Sequence, residues 1–449
     1  MLKTLKAGTP AARKAVARIR GRLDAGGGRM GPAARKLSRR AFGKVLRPVD
    51  AVDKIITDVR ARGNAALIKY TRIFDGPRLT PGRLRVSADE LRRARRGLDL
   101  ELRHALLEAA RRIQIYQEHV ALPESVLMRG PGEELGLRVV PLRRVGVYVP
   151  GFGAAYPSSV LMNVIPAQAA GVEEIVLVTP PGSDGSVNQA ILAAAGELGI
   201  TEIWRLGGAQ AVAAMAYGTE TLEPVDKIAG PGNLFVTLAK NRVYGQVDID
   251  MPAGPSEVCV VADGSARATE VAADLLSQAE HDVYSMSSCV LVTNSRKLAA
   301  DVGKEVRRQL EDLPLRERAR KAVESWGLAV IVTRIEKAAE VVNDLAPEHL
   351  EVICRRPNAV VDRVRAAGTI FIGRYSPEPI GDYVAGPSHT LPTGGAARVF
   401  SGLSAASFCR TMATVKLSAG TFRKLSRSAA MLARAEGLEA HARSVEARK

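Results

Sequence analysis

Residues 172–182 read VEEIVLVTPPG, a short apolar segment rich in β-branched residues that ends in two prolines and a glycine. The next segment, VNQAILAAAGELG (187–199), has its apolar residues at helical spacing. A buried strand followed by a helix is typical of a parallel sheet, because the chain must cross back before it can form the next parallel strand. This strand and helix form the unit from which we infer the fold.

The same alternation recurs farther along the chain. The predicted strands and helices are, in order, EIWRLGG (202–208), a helix from Ala209, EVCVVADG (257–264), RATEVAADLLSQAEH (267–281), SCVLVTNS (288–295), SRKLAADVGKEVRRQLEDL (295–313), GLAVIVT (327–333) and a helix before Pro347. We therefore expect an α/β protein of the doubly wound class, with parallel sheets, two of them, covered by helices.

The start of the chain has a helical pattern instead. VDAVDKIITDVRARGNAALIKYTRIF (49–74) places Val52, Ile55 and Val59 three and four residues apart, which is the period of a one-sided helix. Gly63 interrupts this helix. From residue 403 onward the tail is again predicted to be helical.

The charge of the chain is concentrated at its N-terminus. Of the net charge of +17, residues 1–44 contribute +12, because they hold 13 Lys or Arg residues and one acid, Asp24. A nucleic-acid-binding surface usually lies on a folded domain with stacking aromatic residues, and aromatics make up only 4% here. A nucleic-acid partner is therefore not expected; a subunit contact, a solvated arm or a transit peptide remain open for this arm.

Cysteine content and hydropathy indicate the compartment. Four cysteines lie far apart without a Cys-x-x-Cys pair, which argues against a disulfide framework or a thiolate zinc site. No apolar run reaches the roughly 20 residues of a membrane span, and no secretory signal is recognisable. We expect a cytoplasmic protein with reduced thiols.

Cofactor binding has only weak support in the spacing of the glycines. No predicted strand is followed by the Gly-x-Gly-x-x-Gly turn of dinucleotide-binding folds. Three glycine-rich turns, VPGFG (149–153), RLGGAQ (205–210) and AGPGN (229–233), could bring backbone N–H groups to a phosphate. Glycines at strand ends are also ordinary turns, so both interpretations stay open.

A pair of side chains in DLLSQAEHD (274–282) has the spacing of metal ligands. Gln278 and His281 are three residues apart and share one helical face. An amide oxygen and an imidazole suit a divalent cation, with zinc favoured by the mixed ligands. A hydrogen-bond network at the helix end explains the same pattern, and two ligands alone are too few for a metal site.

The segment LAPEHLEV (345–352) places two proton-transfer groups side by side. Glu348 and His349 follow Pro347, where a helix begins or a loop breaks. Neighbouring groups of different basicity can serve two successive proton removals. The alternative is an acid at a helix N-terminus beside a histidine with structural hydrogen bonds.

Two further segments are loops of the kind that carries binding residues. IGDYVAGPSHTLPTGG (380–395) is rich in Gly and Pro and contains Asp382 and His389, and DMPAGPSEV (250–258) contains Ser256.

Together these segments resemble the histidinol dehydrogenase family. The resemblance covers about nine-tenths of the chain. It is carried, in order, by DVRARGNAALIKYT, AAYPSSVLMNVIPAQAAGVEEIVLVTPP, GGAQAVAAMAYGTE, VDKIAGPGN, DMPAGPSEV, AADLLSQAEHD, APEHLEV, GDYVAGPSHTLPT and AEGLEAH.

The resemblance implies a set of site residues. Glu348 and His349 would be the catalytic acid and base. The implied zinc ligands are Gln278, His281, Asp382 and His441. The implied NAD contacts are Tyr148, Gln210 and Asn233. The implied substrate contacts are the four zinc ligands with Ser256, His349, His389 and Glu436.

The resemblance also implies the architecture and the reaction. Two incomplete Rossmann-like parallel-sheet domains, one formed by 45–147 with 257–402 and one by 148–256, would follow the basic helical arm at 1–44. A C-terminal helical tail, 403–449, would complete the site of the other subunit of a homodimer. The reaction would be the zinc-dependent oxidation of L-histidinol, through the aldehyde, to L-histidine by two NAD.

Some residues depart from the family pattern. Phe152 stands in the glycine turn VPGFG where a small residue is usual, which puts the cofactor turn in doubt. Asn64 replaces an acid, and HDVYSMSS after the metal helix is atypical. A sister dehydrogenase that acts on another amino alcohol or diol is the alternative to histidinol, and a nucleic-acid-binding protein is the alternative from another class.

Overall fold

The computed structural model describes residues 2–21, 31–151, 156–252, 254–281 and 285–448. Phe152, the residue that puts the cofactor turn in doubt, lies outside them. The described chain forms two parallel sheets covered by helices and one antiparallel sheet. The predicted α/β class is therefore confirmed.

The strands are, in chain order, β1 (Lys3–Lys6), β2 (Ser125–Gly130), β3 (Glu133–Pro141), β4 (Arg144–Tyr148), β5 (Glu174–Thr179), β6 (Glu202–Arg205), β7 (Lys227–Ala229), β8 (Asp248–Ile249), β9 (Glu257–Ala262), β10 (Ser288–Thr293), β11 (Leu328–Ile331), β12 (His349–Ile353), β13 (Thr369–Ile372) and β14 (Cys409–Leu417).

The α-helices are α1 (Pro10–Arg20), α2 (Pro32–Phe42), α3 (Pro48–Phe74), α4 (Pro81–Leu84), α5 (Ala88–Arg96), α6 (Leu100–His119), α7 (Pro157–Ala169), α8 (Gln189–Glu197), α9 (Gly208–Tyr217), α10 (Leu234–Val243), α11 (Ala268–Ala279), α12 (Arg296–Leu310), α13 (Arg316–Trp326), α14 (Ala338–Leu345), α15 (Asn358–Val361), α16 (Glu378–Ile380), α17 (Ala419–Ala435) and α18 (Glu439–Glu446). Short 3₁₀ turns lie at Ile335–Lys337, Ala396–Arg398 and Ala405–Phe408, and a π-helical turn at Gly381–Ala385.

The five-stranded parallel sheet has the order β6-β5-β4-β7-β8. Its strand β5 comes from the segment VEEIVLVTPPG. Val176 and Val178 pack into one core while Leu177 packs into another on the opposite face. Because helices cover both faces, the strand is apolar throughout rather than alternating with polar residues.

The six-stranded parallel sheet has the order β1-β11-β10-β9-β12-β13. Val258 and Val260 face one core and Cys259 and Val261 face the other. This sheet carries the predicted acid–base pair, because β12 begins at His349.

The helices between residues 32 and 119 pack on the five-stranded sheet, not on the six-stranded one. Leu67 and Tyr70 of α3 share a core with Trp204 and Val212. The expected grouping of 45–147 with 257–402 therefore differs from the structure. The helical period shows that α3 has an apolar face, but it does not show which sheet that face covers.

The basic N-terminal arm is not purely helical. Lys3–Lys6 form β1, which pairs with β11 at an edge of the six-stranded sheet. α1 packs against α14, and the Arg18 guanidinium lies 4.4 Å from the centre of the Trp326 ring. An edge strand with exposed side chains needs no apolar run, so its sequence gave no strand signal.

The C-terminal tail is also mixed. Cys409–Leu417 form β14, which pairs antiparallel with β3, although this part of the tail was expected to be helical. Most of β14 is exposed, and the alternation of its apolar and polar residues is too weak to predict a strand. α17 and α18 follow and pack on each other.

The four cysteines are free, as expected, and two of them, Cys259 and Cys289, are buried. None of the helices in the described part of the chain combines the length and apolar character needed to cross a membrane.

Candidate active site

The candidate site lies at the amino-terminal edge of the six-stranded sheet. α14 ends before Ala346, which has a positive φ of 49°, and Pro347 prevents the helix from continuing. This turn places Glu348 and His349, 6% and 2% exposed, at the start of β12. The predicted pair is therefore buried at a strand start.

α11 brings the predicted metal ligands to the same edge. It follows β9 and runs back along the sheet, so its last turn lies beside the start of β12. Gln278 is 1% exposed, whereas His281, just after the helix, is exposed. The helix therefore ends between Gln278, which is buried, and His281, which is exposed.

The imidazole of His349 lies between two of the predicted ligands. Its Nδ1 is 2.9 Å from Gln278 Oε1, and its Nε2 is 3.3 Å from Asp382 Oδ1 without making a hydrogen bond of good geometry. Three predicted residues from three separate segments therefore meet in the structure.

The carboxyl group of Glu348 is held beside this imidazole. Its Oε2 accepts a hydrogen bond from the Glu257 backbone N–H at 3.1 Å and lies 3.9 Å from His349 Nδ1. Burial raises the pKa of Glu348 to about 7, although the charge of His349 opposes the rise. A carboxyl group with a pKa near neutrality can exchange a proton in either direction.

The charges of the site are mutually dependent. Burial alone would lower the pKa of His349, but the carboxylates of Glu348 and Asp382 outweigh it and raise that pKa to about 10. Burial likewise opposes ionisation of Asp382, yet the charge of His349 lowers its pKa. The pair behaves as an imidazolium and a carboxylate.

One further acid belongs to this group. The ligand atoms of His349, Glu378 and Asp382 lie within 4.8 Å of one another, in an arrangement that could hold a metal ion. Glu378 is 4% exposed and accepts a hydrogen bond from Ser277 Oγ at 2.9 Å. Burial raises the pKa of Glu378 to about 8.

The residues present fit a zinc site. Gln278 Nε2 and His349 Nε2 are buried without a hydrogen-bond partner, so the centre contains polar atoms that the described chain leaves unsatisfied. Carboxylate, imidazole and amide donors at one point are a set that zinc accepts. Of the implied ligands, Gln278 and Asp382 lie at this edge beside His349, and His281 follows Gln278 by three residues.

The loop at 381–395 joins the two sheets. His389 Nε2 lies 3.1 Å from Ser159 Oγ, and Ser388 Oγ donates to the Met162 carbonyl oxygen at 2.8 Å. Ser159 and Met162 lie in α7, which follows the carboxyl end of β4. The amino edge of one sheet therefore faces the carboxyl edge of the other.

The predicted substrate residues fall into two groups. His389 lies in this loop, its Nδ1 3.0 Å from the Asp382 carbonyl oxygen, and burial lowers its pKa. Ser256 directly precedes β9 at the amino edge. Glu436 and His441 are instead exposed at the junction of α17 and α18, whose main contacts are with each other and with β14. One chain does not bring these two to the site.

The predicted cofactor residues lie at the carboxyl edge of the five-stranded sheet. Tyr148 ends β4, Gln210 lies in the first turn of α9, and Asn233 caps α10 by accepting hydrogen bonds from two backbone N–H groups. The chain crosses from one side of β4 to the other before β7, so a crevice opens between these two strands. Open α/β sheets bind ligands at such a topological switch point.

The glycine turn after β7 is held by a buried ion pair. Asp250 Oδ2 accepts a hydrogen bond from the Gly230 N–H at 2.8 Å, and Lys240 Nζ donates to the Gly230 carbonyl oxygen at 3.0 Å. Lys240 and Asp250 also pair with each other, with side chains 2% and 1% exposed. Gly230 has φ +114°, and a Cβ there would lie 2.1 Å from the Tyr148 carbonyl oxygen. Lys240 and Asp250 therefore fix the turn that leads to Asn233.

Sequence reasoning missed several residues of these two sites. Glu378 precedes Asp382 by four residues, which is helical spacing, and this signal could have been used. Ser159 carries no signal because its partner, His389, is 230 residues away. Asp75 is brought to the carboxyl edge of the five-stranded sheet only by the packing of α3.

An α/β fold with a buried carboxyl–imidazole pair, Glu348 and His349, between facing sheet edges is typical of an enzyme. The family model described as histidinol dehydrogenase matches residues 39–449. The chain belongs to the histidinol dehydrogenase family and is an oxidoreductase.

Individual relatives agree with the family match. The chain is 52% identical to histidinol dehydrogenase of Geobacillus kaustophilus over 89% of this chain and 93% of that protein. It is also 52% identical to that of Bacillus subtilis, over 89% and 92%. The crystal structure of histidinol dehydrogenase from Elizabethkingia anophelis superposes with a TM-score of 0.89 at 35% identity, covering 100% of this chain and 98% of that one.

Proposed function

We propose that this protein oxidises L-histidinol, through L-histidinaldehyde, to L-histidine, with NAD as the hydride acceptor and zinc as the metal. The membership of the family supports the substrate and a place in histidine biosynthesis. The observation that carries the chemistry is the contact of His349 with both Gln278 and Asp382, beside Glu348.

The two proton-transfer groups suit the two oxidations. In the first, His349 takes the proton of the substrate hydroxyl while a hydride leaves the carbon that bears this hydroxyl. In the second, Glu348 takes a proton from the water that adds to the aldehyde, and the hydrate loses a second hydride. Each oxidation releases one hydride, so two NAD are reduced for each histidine; the first oxidation also releases one proton and the second two, because the product acid ionises.

The groups that bind when the enzyme is loaded have defined places in this chain. Zinc, held by Gln278, His281, Asp382 and His441, would supply positive charge that orients the substrate. NAD, contacted by Tyr148, Gln210 and Asn233, would accept the hydride.

The neutral form of His349 is the one that takes a proton. The carboxylates that raise its pKa to about 10 include Asp382. A cation bound at Asp382 would neutralise that charge, which would lower the pKa of His349 and favour its neutral form.

We also propose that the active enzyme is a homodimer with shared sites. Glu436 and His441 are exposed in one chain and would reach the site of a second copy. The same tail exposes apolar side chains, with Val415, Met431 and Leu432 exposed by 71%, 62% and 66%. Exposed large apolar side chains of this kind are typical of a subunit interface.

The remaining alternative is a sister enzyme acting on another amino alcohol or diol. The presence of His389 and Glu436, which would line the substrate end, favours histidinol.

We also expect this enzyme to act in the cytoplasm, because its cysteines are free.

The test is to supply purified protein with NAD and, in separate reactions, L-histidinol and other small amino alcohols and diols. NADH formation with L-histidinol, abolished by a chelator and restored by zinc, is expected. Equal or faster reaction with another substrate would favour the sister enzyme, and reaction unaffected by the chelator would overturn the zinc assignment.

A further inference from the structure

Buried polar atoms without partners gather at the carboxyl edge of the five-stranded sheet. Asp75 Oδ2, Thr179 Oγ1 and both amide atoms of Gln210 make no hydrogen bond among the described residues. Gln210 is 1% exposed. Such groups are rare in native proteins, and a bound polar molecule would satisfy them.

Asp75 reaches this edge from the end of α3. Thr179 ends β5 and Pro180 follows it. A Cβ on Gly207 would lie 2.6 Å from Pro180 Cβ and 3.4 Å from Asp75 Oδ1. Asp75 therefore lies beside the end of β5 and beside the glycine turn that opens α9.

The same turn connects Asp75 to a predicted cofactor residue. The Gly208 N–H donates to the Tyr148 hydroxyl at 3.2 Å. Burial, and to a smaller extent the charge of Asp75, raises the pKa of that hydroxyl. Asp75, Tyr148 and Gln210 thus line one polar corner of the crevice.

The place of this corner in the sheet indicates its ligand. In order along the chain, β4 is the first strand of this sheet and β5 is the second. In dinucleotide-binding sheets an acid after the second strand accepts a hydrogen bond from the adenosine ribose. The chain after β5 reads Thr-Pro-Pro-Gly and has no acid there. Asp75 occupies that place from a different segment.

We propose that the Asp75 carboxylate accepts hydrogen bonds from the adenosine-ribose hydroxyls of NAD, beside Thr179 and Gln210, and makes the enzyme select NAD over NADP. This rests on the proposed use of NAD. NADP carries a phosphate on the ribose 2′ oxygen, which would bring negative charge against this carboxylate.

The first test needs no variant. Calorimetry on the wild-type dimer compares ADP-ribose with 2′-phospho-ADP-ribose. The phosphate is expected to weaken binding by about tenfold or more, since it replaces a donor with a like charge. Equal affinities would overturn the inference, whereas a protein that binds neither compound, nor NAD, would overturn the proposed cofactor as well.

The second test uses Asp75→Asn and Asp75→Ser. The ratio of kcat/KM for NAD to that for NADP is expected to fall by about tenfold or more in both. Asp184→Asn is the matched control, because Asp184 is an exposed acid in the loop that follows β5. If the wild type oxidises histidinol with NAD and the ratio is the same in all four proteins, Asp75 has no role in selection.

Discussion

Gln278 Oε1 lies 2.9 Å from His349 Nδ1, so a residue proposed to hold zinc directly contacts the residue proposed to take the hydroxyl proton. An amide oxygen only accepts, so Nδ1 carries the proton and Nε2, toward Asp382, is the acceptor in the neutral ring. Metal binding and proton transfer are therefore expected to depend on each other.

The direct consequence concerns His349. His349→Asn keeps a polar side chain at the start of β12 but removes the base, and kcat is expected to fall about 10²- to 10⁴-fold. Steady-state kinetics measure this loss, and the zinc content shows how far metal binding also depends on the contact of His349 with Gln278. His104→Asn, on exposed α6, is the control. Wild-type kcat in His349→Asn would remove this residue from the mechanism.

The metal assignment predicts a loss of zinc from a single substitution. Asp382→Asn replaces a charged donor with a neutral one, so zinc affinity is expected to fall by more than about tenfold. Elemental analysis after dialysis against a weak chelator gives the zinc per subunit. Asp301→Asn, an acid on α12 away from the site, should retain its zinc. Equal zinc in both variants would contradict the ligand set.

Shared sites predict complementation between two inactive variants. His349→Asn removes the base from the site of its own chain, and His441→Ala removes a ligand from the site of the partner. In a hybrid dimer both changes fall in the same site, so the other site is intact. Random pairing makes half of the dimers hybrid, and activity should recover to about a quarter of the wild type. The assay uses co-expressed subunits with different tags. Failure of purified hybrids to exceed either parent would show that His441 does not act across subunits.

The ion pair beneath the glycine turn predicts a selective loss of NAD binding. Lys240→Met leaves Asp250 buried and unpaired, which is expected to cost about 3–5 kcal/mol of unfolding free energy. The double variant Lys240→Met with Asp250→Asn should regain stability but not NAD affinity, because the Gly230 carbonyl oxygen then lacks its donor. Denaturant unfolding and calorimetry separate these effects, with Lys297→Met on exposed α12 as control. Recovery of both together would mean that the pair only stabilises the fold.

The burial of Asp75 has a cost that depends on pH. Burial raises its pKa from 3.8 to about 7, so the folded protein holds this proton more tightly than the unfolded chain does. Its contribution to stability is therefore present at low pH and is lost as the pH rises toward 7. Without NAD, Asp75→Asn is expected to exceed the wild type by roughly 1–3 kcal/mol at pH 8 and by much less at pH 4. Urea unfolding at both values checks this, and a difference independent of pH would contradict it.

The sequence alone was sufficient to predict helices and strands whose apolar residues recur at a regular spacing. The run around Val176 predicted β5, and the period of Val52 and Ile55 predicted α3. It was also sufficient for neighbours within one helix or turn, such as Glu348 with His349. These features depend on local spacing, which is printed in the sequence.

Relations between distant segments could not be predicted in this way. The sheet that α3 covers, and with it the position of Asp75, depends on packing between cores far apart in sequence. Glu378 enters the site because β13 pairs with β12, and this pairing cannot be predicted from a local sequence pattern. The joint position of Gln278, His349 and Asp382 followed only from the family resemblance.

The most direct test of the central claim is the number of NADH formed for each histidine. Complete conversion of a known amount of L-histidinol by the zinc-loaded enzyme, with histidine quantified by chromatography, should give two NADH per histidine. In Glu348→Gln the ratio of NADH to histidinol consumed should approach one, with aldehyde trapped by a hydrazine, since hydration loses its base. One NADH per histidinol in the wild type, with aldehyde as the final product, would contradict the account.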